Sequence, residues 1–93
     1  MVRAEVFVTL KPVVNDPEGL TIMRGLQTLG FDSITDVRSG KYLVLLIDEA
    51  DLGQARARVE AMAQQLLANA VIEDYRIAVG PVEATVLSGE RPV

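Results

Sequence analysis

Histidine and cysteine are both absent from the 93 residues. The chain therefore lacks the usual transition-metal ligands, thiol nucleophiles and imidazole bases of enzyme chemistry. No disulfide framework can form, which fits a cytoplasmic protein. Aromatic residues make up 4% of the sequence and tryptophan is missing, so the core has to be built from Val, Leu, Ile and Ala. Basic residues are outnumbered by acidic ones, 9 to 13, for a formal net charge of −4. Affinity for a phosphate backbone comes from clustered Lys and Arg, so nucleic acid is not an expected partner. No stretch approaches the ~18 apolar residues of a membrane span. The opening Met1-Val2-Arg3-Ala4-Glu5 alternates polar and apolar residues and lacks the hydrophobic region of a signal peptide. No membrane partner is expected either. Catalysis by Asp, Glu, Lys, Tyr or Ser alone stays open, although proton transfer near neutral pH favours His or a strongly shifted carboxylate.

What is present is organised around Tyr42–Ile47, six apolar residues in a row that follow the turn pair Ser39-Gly40. A run this short suits a strand rather than a helix, and its lack of alternation predicts burial on both faces. Gly40 is read as the residue that lets a hairpin turn adopt a positive φ. Ahead of it, Val2, Ala4, Val6, Val8 and Leu10 alternate with Arg3, Glu5, Thr9 and Lys11, the period of a strand with one face on a core. Phe7 interrupts the polar face. Asn15-Asp16-Pro17-Glu18 opens a helix, with Asp16 as cap, Pro17 in the first turn and Glu18 at the positive end of the dipole. Ile22, Leu26 and Leu29 give it a stripe and Gly30 a stop. Ile34 and Val37 predict a second strand over 31–38. Asp51 with Gln54 resembles a capping box. It opens a helix striped by Leu52, Ala55, Val59, Met62 and Leu66 that ends near Asn69, the expected left-handed C-cap. Residues 71–79 form the fourth strand, and Gly80-Pro81 breaks it.

The order β-α-β-β-α-β predicts an α+β, ferredoxin-like sandwich: a four-stranded antiparallel sheet with two helices on one face. The first and third strands should be central. Residues 1–80 form the domain and 81–93 a C-terminal tail. Two helices cover only one face of such a sheet, yet Leu43, Leu45 and Ile47 oppose Tyr42, Val44 and Leu46, so one apolar set of this strand should lie uncovered, joined by Phe7 if that residue points away from the helices. Burying side chains of that size is worth ~1.5–3 kcal/mol each, and an exposed apolar patch normally marks an interface. The chain is therefore expected to associate with itself through the sheet, as a dimer or a tetramer.

Asp36-Val37-Arg38-Ser39-Gly40-Lys41-Tyr42 closely resembles the D-V-R-x-G-K-Y segment of the PurS family, the small subunits of phosphoribosylformylglycinamidine synthase. The block from Leu66 to Arg76 resembles that family's L-L-A-N-x-V-I-E-D-Y-R. Val6-Phe7-Val8-Thr9-Leu10-Lys11, followed by Asp16-Pro17-Glu18-Gly19, is similar to its first strand and helix entry. The likeness runs from Val2 to Val79, in order. It implies a non-catalytic subunit in purine biosynthesis that joins a glutaminase subunit (PurQ-type) to a synthetase subunit (PurL-type) and supports ammonia transfer. The complex converts formylglycinamide ribonucleotide, glutamine and ATP to formylglycinamidine ribonucleotide. ATP, Mg and glutamine belong to the partner subunits, and no cofactor is implied for this one.

The candidate partner or oligomer contacts are Phe7, Asp36, Arg38, Lys41, Tyr42, Val44, Glu73, Tyr75 and Arg76. Arg38, Lys41 and Arg76 read either as a docking surface, since Arg can grip a carboxylate or phosphate bidentately, or as solvated charges. Tyr42 and Tyr75 suit an interface or a core position with a satisfied hydroxyl. Glu73 and Asp74 sit too close along one strand to share a face. Among rival functions, RNA binding wants more aromatics and a basic surface. A metal carrier wants a Cys-x-x-Cys loop, and an acylphosphatase wants a Gly-rich phosphate nest that Lys11–Asn15 does not offer. A small-molecule regulatory domain of the ACT type is the alternative.

Overall fold

Val2, Ala4, Val6 and Val8 are fully buried while Arg3, Glu5 and Phe7 between them are half-buried, so the alternation in the first strand survives intact. The computed structural model describes residues 1–82; the rest of the expected tail lies outside the described residues. β1 (Val2–Leu10) is flanked by two antiparallel neighbours, β2 (Gly40–Ile47) and β3 (Glu73–Pro81), in the order β2-β1-β3. The register sets Phe7 opposite Tyr42 on one side and opposite Arg76 on the other. Side chains two residues apart share a face. Val6, Val8, Leu43, Leu45, Ile47, Tyr75, Ile77 and Val79 therefore look one way, and Arg3, Glu5, Phe7, Tyr42, Val44, Leu46 and Arg76 the other.

Three expectations fail here. Among the described residues the sheet has three strands, because 31–38 forms turn and irregular backbone. Ile34 and Val37 stand three apart, which would put them on opposite faces of a strand. The backbone of this segment bonds elsewhere: Ile34 O accepts from Gln27 Nε2 at 3.2 Å, and the following Ser39 N donates to Asp16 at 2.6 Å. No hairpin therefore precedes β2, and among the described residues β2 and β3 are the edges of the sheet with β1 between them. Gly80 and Pro81 do not break the last strand but belong to it, opposite Arg3 and Val2. Proline is tolerated there because β3, among the described residues, has no strand on its outer side.

The helices depart further from the expected layer. α2 (Leu52–Met62) packs on β1 and β3 and buries Ala55 and Val59. Asp51 caps it, accepting from Gly53 N at 2.7 Å and Gln54 N at 3.2 Å. It passes into a π-turn, Ala63–Leu67, in which Ala68 N reaches back five residues to Ala63 O at 2.9 Å. The wider turn rotates the chain, as single π-turns do. Ala63 and Ala68 become the buried residues and Leu66, expected in the stripe, is 83% exposed. Asn69 does not take the left-handed conformation, since none of the described non-glycine residues has a positive φ. Its side chain instead accepts from Val71 N at 3.0 Å, closing a turn before β3. α1 (Pro17–Thr28) starts and stops where the sequence places it. Phe31 N bonds Leu26 O and Gly30 N bonds Gln27 O, around Gly30 at φ 100°, the paired bonds of a glycine-terminated helix. Yet α1 has no comparable packing on any strand or on α2, and Gly19 is its one buried residue. One helix, not two, covers the sheet.

Candidate functional site

The uncovered face of the sheet carries a connected polar and aromatic cluster. Its centre is Phe7, whose ring lies 5.0 Å from that of Tyr42, centroid to centroid, with the Arg76 guanidinium carbon 4.3 Å above it. The cross-strand register puts all three in one row, so the contacts follow from β pairing. One row along, the Tyr42 hydroxyl donates to Glu5 Oε2 and accepts from Arg3 Nη2 at 3.2 Å, and Arg3 meets Glu5 at 2.9 Å. The Tyr42 hydrogen bond, with Arg3 beside it, holds the Glu5 carboxyl below the usual carboxylate range. The bond to Tyr42 and the charge of Glu5 likewise raise Arg3. Arg3 Nε is buried without a partner among the described residues. Along the β2 edge of the cluster, Tyr42, Val44 and Leu46 are 40%, 43% and 51% exposed. This is an amphipathic platform: charges held in fixed geometry at its centre, aliphatic side chains at the β2 edge. Its cation–π and aromatic pairs give it shape that an isolated Phe would lack.

The remaining candidates separate from that platform. Asp36 and Arg38 line a cleft of about 310 Å³ with Thr9, Leu10, Pro12 and Asp74. Arg38 Nη2 donates to Lys11 O at 2.9 Å and Val14 O at 2.6 Å; it ties the β1–α1 connection to the segment before β2. Lys41 is exposed at the start of β2, on the helix-side face. Tyr75 is on that face too. Its hydroxyl donates to Glu60 of α2, and that bond raises its pKa. Glu73 Oε1 accepts from Asn69 N at 2.7 Å, closing the turn into β3. Phe7, Tyr42, Val44 and Arg76 are thus brought together, Asp36 and Arg38 form a second locus, and Glu73 and Tyr75 bond within their own chain.

Sequence reasoning missed the joint role of Asp16 and Ser39. Asp16 is 5% exposed. Its Oδ1 accepts from Gly19 N at 2.9 Å, as a cap should, while Oδ2 accepts from Ser39 N at 2.6 Å and the Ser39 hydroxyl bonds Oδ1 at 2.9 Å. The Gly19 and Ser39 amides hold the Asp16 carboxyl below its ordinary 3.8. The signal was faint: a cap residue in one motif and a turn serine in another, 23 positions apart. Among the described residues no group of acidic side chains is arranged to hold a metal ion.

The family model described as PurS, phosphoribosylformylglycinamidine (FGAM) synthase, matches residues 3–81. The PurS subunit of phosphoribosylformylglycinamidine synthase from Synechocystis is 42% identical over 84 residues, which is 90% of this chain and 84% of that protein. The Bacillus subtilis subunit is 40% identical over 84 residues, 90% of this chain and 99% of its own. The crystal structure of Methanocaldococcus jannaschii PurS superimposes with a TM-score of 0.80 at 40% identity, covering 89% of this chain and all of that one. A chain of the Thermotoga maritima PurLQS structure superimposes with a TM-score of 0.78 at 26% identity, covering 85% and 96%. With a model match over most of its length and relatives at this level of identity, the chain belongs to the PurS family.

Proposed function

We propose that this chain is the non-catalytic small subunit of a phosphoribosylformylglycinamidine synthase and works in purine biosynthesis. It joins a PurQ-type glutaminase to a PurL-type, ATP-dependent synthetase. There it supports passage of ammonia from glutamine to formylglycinamide ribonucleotide. The family match over residues 3–81 carries the reading, and a Thermotoga relative was solved as part of PurLQS. The composition agrees: a chain without cysteine or histidine cannot supply a thiol nucleophile for glutamine hydrolysis, so that group must come from another chain. ATP, Mg and glutamine are used by the partners, in the cytoplasm.

The chain acts as a homodimer or tetramer, and the platform of Phe7, Tyr42, Val44 and Arg76 is its contact face. Asp36, Arg38 and Lys41, beside the cleft, are the surface offered to a partner subunit. Co-purification tests this. The tagged full chain, expressed with a glutaminase and a synthetase of this pathway, should retain both through gel filtration. Titration calorimetry of the chain with amino acids should then show no binding tighter than millimolar. Micromolar binding of an amino acid, with neither subunit retained, would instead establish the regulatory-domain alternative.

A further inference from the structure

The cleft beside the β1–α1 connection has a volume of about 310 Å³ and two lining carboxylates, Asp36 and Asp74. That is the small end of the ~300–1,000 Å³ range of ligand sites, better suited to one side chain than to a nucleotide. Leu10 and Pro12 give it apolar walls and Thr9 a hydroxyl. Its one lining cation is Arg38, whose Nη2 is given to Lys11 O and Val14 O. The charge of Arg38 also acts on the buried Asp16 and helps to hold that carboxyl low.

The two cleft carboxylates are not matched in this way. Asp74 meets Lys11 Nζ at 3.6 Å with 59% of its side chain exposed, too long for a hydrogen bond and worth little as a surface pair. Asp36 has neither an ion pair nor a side-chain hydrogen bond among the described residues. Set against Lys11 and Arg38, the carboxylates of Asp16, Asp36 and Asp74 leave a negative charge uncompensated. The cleft therefore repels an anion. Among the described residues no third acidic group joins the pair to hold a metal ion.

We propose that this cleft receives an arginine side chain of a partner subunit, with Asp36 and Asp74 accepting from its guanidinium. The proposal rests on the reading of the chain as a subunit that joins two others, and it names the chemistry of the face offered to them. Arginine fits better than lysine. Its guanidinium is planar, weakly hydrated and rich in donors, whereas an ammonium is compact and holds its water. Its methylene stem covers apolar surface, which Leu10 and Pro12 provide. Arg38, bonded to two carbonyls of the loop before α1, fixes one wall. The site is thus formed before the partner arrives, which lowers the cost of binding.

The test is binding of the immobilised full chain to the glutaminase and synthetase subunits together, with glutamine and ATP present. Replacing both acids, Asp36→Asn with Asp74→Asn, should weaken binding roughly tenfold or more, because a charge desolvated without its partner is costly. Asp36→Glu keeps the charge and should bind nearly as wild type does. Asp32→Asn makes the same change of charge outside the cleft and should leave binding unchanged. All three acids are exposed, so the variants should fold, and matched melting temperatures check this. Equal affinity of wild type and the double variant would overturn the arginine site and leave the subunit reading in place. A wild-type chain that binds neither subunit would end both. Phenylglyoxal, which modifies arginine, then identifies the occupant. At saturating concentration the wild-type chain should shield one partner arginine that the double variant leaves reactive, read by peptide mass spectrometry. Identical arginine labelling with the two chains would sink the proposal.

Discussion

Replacing Gly40 with alanine is expected to cost about 3 kcal/mol, the upper end of the range for forcing extra atoms into a packed site. Gly40 pairs with Thr9 at the first rung of β2, and a methyl group there would run into the Val8 carbonyl and then the Thr9 side chain. The Val8 carbonyl is part of the central strand, so the only relief is for β2 to move away from β1. A domain of this size has roughly 5–14 kcal/mol of stability in all. The melting temperature should therefore fall by roughly 4–8 °C per kcal/mol, 12 °C or more in total. Gly80→Ala is the matched control. It too sits on an edge strand opposite β1, but a methyl group there meets nothing within 4 Å. Thermal melts of the two variants should diverge sharply; equal stability would mean that β2 is not held against β1 as described.

Asp16→Ala is expected to unclasp α1. The substitution removes the acceptor of Gly19 N and Ser39 N together, and each stranded, mostly buried amide is costly. Asp16→Asn should not restore the clasp. An amide side chain has one acceptor oxygen, so its NH2 group would face one of the two donors. Exchange of the Gly19 and Ser39 amides with solvent deuterium should quicken by roughly tenfold or more while the β1 amides keep their protection, as expected of a local opening. The same carboxyl links stability to pH. Its folded pKa lies below the ordinary 3.8, so its contribution is fully present above about pH 4 and is lost as pH falls through the folded value. Between pH 2 and 6 the wild-type melting temperature should fall more steeply with acid than that of Asp16→Ala. Parallel curves would show that the clasp does not carry the helix.

Local patterns were legible in the sequence where one element decides its own fate. Period two in Val2–Leu10 gave the central strand and its two faces, whereas the unbroken apolar run Tyr42–Ile47 showed that both faces of its strand are apolar without showing which one is open. The caps at Asp16, Asp51 and Gly30 were readable because a helix end must satisfy its own backbone groups. Gly40 was rightly singled out but for the wrong reason: it allows close approach of two strands, not a positive φ. The expected second strand failed because Ile34 O and Ser39 N bond to α1 and its cap, a competition no window of sequence reveals. The stripe on the second helix drifted at Ala63, where one π-turn changes which residues face inward. Above all, α1 is a well-formed amphipathic helix whose first turn is fixed by a clasp across 23 residues, not by its own periodicity. The candidate site divided the same way. Cross-strand register assembled Phe7, Tyr42 and Arg76, whereas Tyr75, Glu73 and Arg38 found partners that only tertiary structure supplies.

The account rests on this chain being required for the use of glutamine, and reconstitution measures that directly. Purified glutaminase and synthetase subunits are assayed for formylglycinamidine ribonucleotide formation, with and without the full chain, using glutamine or free ammonia as nitrogen source. The prediction is that glutamine-dependent synthesis appears only when the chain is added, while the ammonia-dependent rate of the synthetase is unchanged. Equal glutamine-dependent rates with and without the chain would contradict it.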